Sequence, residues 1–241
     1  MRCTSYTVRT SVPTPMTVAL CSDLHDNDYE KAFAILTAQK PDLIALPGDI
    51  GEDAQDPNGR GIGFMEACAS VAPTVYSLGN HDKAFNSHRP MAEKLRQIGV
   101  ILLDDSDIFL HGIWIGGLTT GFRDHKREGY FMPAPAPNLT WLDDGFCRRD
   151  GFKLLLSHHP EYYPAYLRDR DIQLVLSGHA HGGQWQFFGR GVLAPGQGIF
   201  PKLTHGVHEN RLVISRGMGD HTRIPRLFNP REIVMLTLSP K

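Results

Sequence analysis

Short apolar runs recur along the first third of this chain. Between the first two runs, apolar residues recur at the spacing of a helix. The runs are partly β-branched and typical of buried strands; they span residues 16–21, 43–46 and 74–78. After the first run, Tyr29, Phe33 and Leu36 recur at helical spacing. Pro41 ends this period, so we predict a helix over residues 28–39.

The apolar pattern continues with a second helical stretch near residues 64–69 and then changes character. Two short runs flank His111 and Gly112 with no helix between them, which predicts a hairpin. Later strands are predicted over residues 153–156 and 172–176, and a closing antiparallel pair over 212–215 and 232–238. Strands that alternate with helices and then pair locally predict an α/β fold with two packed sheets. We find no linker or repeat and expect one domain over residues 1–241.

The composition limits the possible classes of protein but does not identify a binding partner. Hydrophobic residues make up 41% of the 241 positions, which is enough for a proper core. The formal net charge is −1, so we expect no dedicated nucleic-acid binding. The four cysteines form no C-x-x-C pair and are expected to be reduced thiols, which favours a cytoplasmic location. No run of about 18 apolar residues occurs, so we predict no transmembrane segment or signal peptide.

Five polar clusters follow these apolar runs in a fixed order. They are Asp23-Leu24-His25, Gly48-Asp49, Gly79-Asn80-His81-Asp82, His158-His159 and Gly178-His179-Ala180-His181-Gly182-Gly183. Each cluster alone is typical of an ordinary turn. Together they supply carboxylate, amide and imidazole ligands, which suit divalent ions such as Mn, Fe or Zn. Strands in α/β sheets place sites at their carboxyl ends, so we predict one metal site there.

The order and spacing of these clusters resemble the calcineurin-like metallophosphoesterase family, whose pattern reads D-x-H, GD, GNHD, H and GHxH. The residues after the second His pair, Gly182-Gly183-Gln184, and the run at 213–219 resemble its branch of YkuE-type and lipid-precursor phosphodiesterases. The resemblance implies a central β-sandwich flanked by helices. It also implies two divalent ions, one held by Asp23, His25 and His181 and the other by Asn80, His158 and His179, with Asp49 bridging them. A metal-bridging hydroxide would then attack phosphorus in line.

The same resemblance implies a catalytic role for His81, which would face the substrate phosphate and assist the leaving group. Asp82 is expected to orient that imidazole. His159 neighbours a ligand, but alternation along the chain favours a supporting position over ligation. His111, His205 and His208 are expected at the surface or in turns, and His221 is a further candidate near the site.

Two segments are candidates for contacts outside the metal site. Residues 119–140 carry basic and aromatic side chains, of which Arg123 and His125 are predicted to bind substrate, although a solvated charged loop is an equal alternative. Residues 185–188, Ile199 and Phe200 are apolar. We expect them to pack as core, with an exposed rim that contacts an acyl chain or a membrane surface as the alternative.

Together, these expectations predict a metal-dependent phosphoester hydrolase that acts on a small-molecule substrate. A phosphodiesterase is favoured, with a broad phosphomonoesterase or a metal-bound scaffold for a protein partner as alternatives. The mixed nitrogen and oxygen ligand set suits two divalent ions, with Mn or Fe preferred and Zn, Ni or Co acceptable.

Overall fold

The computed structural model describes residues 1–51, 59–82, 89–121, 132–220 and 224–241. Within these ranges the chain forms two six-stranded mixed sheets. In spatial order, the first sheet contains β1 (Arg2–Thr10), β16 (Glu232–Pro240), β2 (Met16–Leu20), β3 (Leu43–Pro47), β4 (Thr74–Ser77) and β5 (Val100–Leu103). The second contains β14 (Gly206–His208), β15 (Leu212–Ile214), β9 (Leu174–Ser177), β8 (Lys153–Ser157), β7 (Ile113–Leu118) and β6 (Ser106–Leu110).

The two sheets pack face to face as a sandwich. Val18 and Leu20 of β2 point into one buried cluster that also contains Leu154 and Leu156 of β8. The intervening Ala19 points to the opposite face of its sheet, into a second buried cluster. Successive side chains of a strand alternate between faces, so continuous apolar strands bury both. The uninterrupted apolar runs of the sequence are therefore explained by sheets that are covered on both sides.

Helices cover the outer faces of the sandwich. The first sheet is covered by α1 (Glu30–Gln39), α2 (Arg60–Val71) and α3 (Arg89–Gln97). The second is covered by α4 (Leu139–Asp144), by the 3₁₀ turn Phe146–Arg148 and by the π-helical turn Tyr163–Leu167. The predicted α/β fold with two packed sheets and flanking helices is confirmed.

The order of the central strands also places their carboxyl ends together. The strands β2, β3, β4 and β5 run parallel to one another in the first sheet. The strands β7, β8, β9 and β15 run parallel in the second. The hairpin predicted around His111 is present, because β6 and β7 pair antiparallel.

The predicted closing pair of residues 212–215 and 232–238 is wrong. The first run becomes β15, which pairs with β9 and β14 in the second sheet. The second run becomes β16, which lies between β1 and β2 in the first sheet. Both runs are apolar enough for a buried strand in either sheet, and an apolar pattern does not specify a pairing partner.

The N-terminal strand β1 lies in a segment that reads as polar. Thr4, Tyr6 and Val8 alternate with exposed residues, so only one face of β1 is buried. It forms the edge of the first sheet and pairs with β16 alone among the described strands. A half-buried edge strand of this kind carries a weak hydrophobic signal.

The apolar segment expected to pack as core is instead exposed in part. It forms two small hairpins, β10 (Gln186–Phe187) with β11 (Arg190–Gly191) and β12 (Leu193–Ala194) with β13 (Gly198–Ile199). Phe187, Phe188, Ile199 and Phe200 are all exposed. Strands of two residues carry too little surface to form a further packed layer, so the ends of these hairpins face solvent.

Two further findings concern the chain as a whole. No helix in the described ranges has the length and apolar character that crossing a bilayer requires. All four cysteines lie in these ranges and are free thiols, with Cys21 and Cys68 buried and Cys3 exposed.

Candidate metal centre

Five predicted polar clusters meet where the two sheets present the carboxyl ends of their parallel strands. The loops after β2, β3 and β4 carry Asp23, Asp49 and Asn80, and the loops after β8 and β9 carry His158 and His179. The sheets are joined here by polar contacts. The His179 backbone N–H donates to the Asp23 carboxylate, at 2.9 Å to Oδ1 and 3.2 Å to Oδ2.

The backbone at this edge is unusual. Five of the seven predicted ligands have positive φ angles; they are Asp23 (52°), His25 (50°), Asp49 (55°), His179 (63°) and His181 (45°). This left-handed region is uncommon for residues with a side chain and costs free energy. Such residues concentrate where the surrounding structure holds side chains toward a functional site.

One group of donors is formed by Asp23, His25 and His181. One ligand atom from each lies within 4.8 Å of the others, and all three residues are buried. His181 Nε2 is 3.7 Å from Asp23 Oδ1, and the His25 and His181 rings stack with centroids 5.2 Å apart. One carboxylate and two imidazoles at this spacing are a ligand set that a divalent transition metal accepts.

A second buried group is formed by Asp49, His158 and His179, again with ligand atoms within 4.8 Å of one another. His158 Nε2 lies 2.9 Å from Asp49 Oδ2 and 3.9 Å from Asp23 Oδ1, so the two groups are adjacent. His158 Nδ1 is 2.7 Å from the Pro47 carbonyl oxygen. An N–H donated from Nδ1 to that oxygen orients the ring and leaves Nε2 toward the carboxylates.

Asn80 provides an independent test of whether these residues fit a cation. Its side chain is buried, and its Oδ1 atom accepts no hydrogen bond from the described residues. A buried carbonyl oxygen without a partner costs about 1–3 kcal/mol, and a metal ion would satisfy it. The donor set and this oxygen therefore fit a divalent metal.

In the second group, a buried carboxylate among imidazoles changes the pKa values of both partners. Burial opposes ionisation of Asp49, but the charges of His158, His81 and His25 outweigh it and hold the pKa of Asp49 well below its usual value. Burial likewise opposes protonation of His158, yet Asp49 and then Asp23 raise the pKa of His158 to about 10. These shifts favour a protonated His158 beside an ionised Asp49 when no metal is bound.

Two further histidines of the site, His179 and His181, are kept neutral. Burial, followed by the charge of His159, holds the pKa of His179 well below its ordinary value. Burial, followed by the charges of His25 and Arg226, does the same for the pKa of His181. A neutral imidazole retains a lone pair for a metal.

His81 and Asp82 lie beside Asp49 in different ways. The His81 backbone N–H donates to Asp49 Oδ1 at 2.8 Å, and its half-buried ring packs edge-on against His25 at 4.9 Å. Asp82 is buried, and its Oδ2 accepts the backbone N–H groups of Asp49 at 2.7 Å and of Gly79 at 2.8 Å. Burial and the charge of Asp49 raise the pKa of Asp82 to about 7. Asp82 therefore ties the two ligand loops after β3 and β4 together.

Comparison with known sequences identifies the family. The sequence model of the calcineurin-like phosphoesterase family matches residues 16–183, a range that includes β2 to β9 and all five polar clusters. This chain belongs to the calcineurin-like phosphoesterases. The resemblance seen in the five clusters is confirmed.

Individual relatives cover most of this calcineurin-like chain. It is 35% identical over 236 residues to the uncharacterised metallophosphoesterase YkuE of Bacillus subtilis, covering 90% of this chain and 77% of YkuE. It is 27% identical over 179 residues to the phosphodiesterase YaeI of Escherichia coli, covering 70% and 62%. The uncharacterised metallophosphoesterase Cj0846 of Campylobacter jejuni is 28% identical over 93% of this chain, which spans 58% of Cj0846.

A solved structure supports the fold. The protein TT1561 of Thermus thermophilus superposes with a TM-score of 0.52 at 18% identity, over 68% of this chain and 82% of TT1561. At that identity the likeness concerns the fold alone.

Three further residues that the sequence did not predict contact histidines of the site. Glu161 Oε1 is 3.0 Å from His159 Nδ1, and the His159 ring lies 3.8 Å from that of His179. Arg226 Nη2 is 3.2 Å from His181 Nδ1, and Asn229 donates to the His181 carbonyl at 2.7 Å. Arg226 and Asn229 lie more than forty residues from His181 along the chain, and neither stands in a motif that could have indicated the contact.

The remaining candidates fall outside the described residues. Arg123 and His125, predicted to bind substrate, lie in the interval 122–131, and His221 lies in 221–223. Of the histidines assigned to the surface or to turns, His111 is exposed and His205 and His208 are half-buried.

Proposed function

We propose that this calcineurin-like phosphoesterase is a two-metal phosphodiesterase. The observation that carries the proposal is that Asp49, a member of the second group, also has a ligand atom within 4.8 Å of one from His25 in the first group. The unsatisfied Asn80 oxygen adds a further donor. The name of the relative YaeI supports a diester over a monoester.

In this proposal the ligands divide as the two groups do. Asp23, His25 and His181 hold one ion, and His158, His179 and Asn80 hold the other. Asp49 lies between them as the shared carboxylate. Two divalent ions held there supply Lewis acidity for the phosphate oxygens and lower the pKa of bound water. Mn or Fe is the proposed pair, because mixed nitrogen and oxygen ligands suit either ion.

The other residues of the site orient and stabilise the reacting groups. His81 faces the space beside His25 and Asp49, where its imidazole can hydrogen-bond a phosphate oxygen and give a proton to the leaving oxygen. Asp82 holds the backbone of Asp49 and Gly79, so it fixes the distance between the loops that carry Asp49 and Asn80. The rigid strand ends around them keep these donors in place, which is the main requirement of phosphoryl transfer.

Substitutions at Asp49 and His81 separate metal binding from chemistry. Asp49→Asn should weaken both metal sites together, because it removes the shared negative charge. His81→Asn should retain both ions and lower kcat about a hundredfold or more, since it removes only a general acid. Metal content by mass spectrometry and kcat with bis(p-nitrophenyl) phosphate measure the two effects.

The matched control is His111→Asn, because His111 is an exposed histidine in the β6–β7 turn. It should leave both metal content and kcat unchanged. Equal metal loss in the Asp49 and His81 variants would contradict the role proposed for His81. Two bound ions with no turnover of any phosphoester would favour a metal-bound scaffold over an enzyme.

A further inference from the structure

An apolar rim stands beside a basic cleft on the two small hairpins. We define the rim as Phe187, Phe188, Phe200 and Phe228. Phe188 is fully exposed, and Phe200 and Phe228 are 74% and 73% exposed. Phe187 and Phe228 contact each other with ring centroids 5.8 Å apart, and the Phe200 N–H donates to Val192 directly after β11. The four phenylalanines therefore lie on or against the same two hairpins.

The backbone of the rim is strained as well as exposed. Phe188, Phe200 and Phe228 have φ angles of 52°, 54° and 54°, in the left-handed region. Gly or Asn would adopt these angles at lower cost. Each phenylalanine here carries an unfavourable backbone conformation and leaves its ring in water, so packing within the described part of the chain does not account for it. Combined strain and exposure indicate a binding role.

The cleft beside the turn of the β10–β11 hairpin is basic. It has a volume of about 520 Å³ and is lined by Arg190, Lys202, His205 and His208 together with Phe200. Its lining includes no carboxylate, and residues 172–208 contain neither Asp nor Glu. Neither the Arg190 nor the Lys202 side chain has an ion-pair or hydrogen-bond partner in the ranges that the structure describes. Because the whole chain has a net charge of −1, this positive charge is local to the cleft.

We propose that the rim and the cleft bind the surface of an anionic phospholipid bilayer. Aromatic rings enter the interfacial region of a membrane readily, and each Lys or Arg near an anionic surface contributes about 1 kcal/mol. A protein partner would need a complementary surface of about 1,000 Å². Separate protruding rings around a basic cleft instead match a fluid surface that adapts to their shape.

The rim is attached directly to the metal centre. The Val192 N–H donates to the Gly183 carbonyl at 3.0 Å, and a Cβ on Gly183 would lie only 2.4 Å from the Gly191 Cα. The hairpins thus pack against the turn His181–Gly183, which carries a predicted ligand. A bilayer bound by the rim would hold that turn close to the lipid headgroups.

Vesicle co-sedimentation tests this proposal without any need for catalysis. The full chain is mixed with vesicles of phosphatidylcholine alone or of phosphatidylcholine and phosphatidylglycerol in equal parts. It should sediment with the anionic vesicles only, and high salt should weaken the binding. The absence of binding to anionic vesicles at low salt would overturn the proposal.

Two variants with matched controls test which residues bind. Phe188→Asn/Phe200→Asn should lower the vesicle partition coefficient at least tenfold, because Asn accepts the left-handed angle but lacks the ring. Phe109→Asn, an exposed phenylalanine on β6, should leave it unchanged. Arg190→Gln/Lys202→Gln should also lower it about tenfold or more, since two cations are removed. Lys31→Gln/Lys40→Gln on and next to α1 should not.

Equal binding by the rim variant and the wild type would overturn the proposal, as would equal losses in the Phe109 control. Sedimentation velocity addresses the other possible occupant, a second copy of the chain. A dimer that the rim variant dissociates, without vesicle binding by the wild type, would assign the rim to self-association instead. Thermal melting confirms that each variant is folded.

Discussion

Asp49 is restrained from three sides, and its carboxylate has ligand atoms of both candidate metal groups within 4.8 Å. Its backbone N–H donates to Asp82, its Oδ1 accepts from the His81 backbone, and its Oδ2 is 2.9 Å from His158 Nε2. Its own φ of 55° is unfavourable, so these contacts supply the free energy that keeps it there. A carboxylate fixed in this way can lie between two ions without rearranging when they bind.

Gly79→Ala should displace Asp49 without unfolding the protein. A Cβ at residue 79 would lie 2.2 Å from Asp49 Oδ1 and 2.8 Å from the Asp49 nitrogen, which no rotamer change relieves for the backbone atom. We expect metal affinity to fall at least tenfold in calorimetric titrations with Mn²⁺. Gly51→Ala is the control, because among the described residues its Cβ would meet nothing closer than 3.8 Å. Unchanged affinity in Gly79→Ala would show that Asp49 is not confined as described.

At the scale of elements, β16 connects the edge of the first sheet to the metal centre. The buried Glu232 at its start accepts from Thr4 Oγ1 on β1 at 2.7 Å and from the Arg216 backbone at 3.1 Å, and it pairs with the Arg216 guanidinium. The segment that begins at Arg216 continues to Met218, whose N–H donates to the Ser22 carbonyl at 2.9 Å. Glu232 thereby anchors a segment that lies against the Asp23 loop.

Glu232→Ala should lower the free energy of unfolding by about 3–5 kcal/mol, because it leaves the Arg216 charge buried without its partner. Urea denaturation measures the change. Asp144→Ala is the matched control, since Asp144 at the end of α4 pairs with Arg148 of the following 3₁₀ turn and both side chains are exposed. An exposed pair of this kind contributes about 0–1 kcal/mol. Similar losses in the two variants would contradict the anchoring role of Glu232.

The elements also show what a sequence can and cannot predict. The strands β2, β3 and β4 and the loops after them follow from continuous apolar runs that end in polar clusters, because a doubly covered sheet needs such runs. The pairing of β15 and β16 does not follow, since the same apolar pattern suits either sheet. Arg226 and Asn229 reach His181 only through the tertiary fold, and no local spacing encodes that contact.

At the scale of the whole molecule, both sheets contribute residues to the candidate site. Metal binding and the stability of the folded chain should therefore be linked. Asp23 and Asp49 follow strands of the first sheet, whereas His158 and His179 follow strands of the second. A metal that binds ligands from both sheets binds the folded state alone and should raise the melting temperature.

Acid should destabilise the fold through His205. Burial, followed by the charge of Arg216, lowers the pKa of His205 from 6.5 to about 4. A depressed folded-state pKa means that stability is fully present above pH 6.5 and is lost as the pH falls toward 4. The loss should be about 1–2 kcal/mol, allowing for solvent screening at this half-buried ring.

His205→Asn removes this titration while keeping an acceptor near the position of Nδ1, which lies 3.1 Å from Gln186 Nε2. Urea denaturation of the wild type and the variant between pH 7 and pH 4 should show a smaller acid loss in the variant. Parallel pH profiles for the two proteins would contradict the assignment to His205.

The most direct test of the central claim is hydrolysis of bis(p-nitrophenyl) phosphate beside p-nitrophenyl phosphate by metal-stripped protein that is titrated with Mn²⁺. We predict that activity appears as two ions bind per chain, that the diester is cleaved faster, and that Asp49→Asn abolishes both reactions. Full activity with one ion per chain, or activity that survives in Asp49→Asn, would contradict a two-metal phosphodiesterase centred on Asp49.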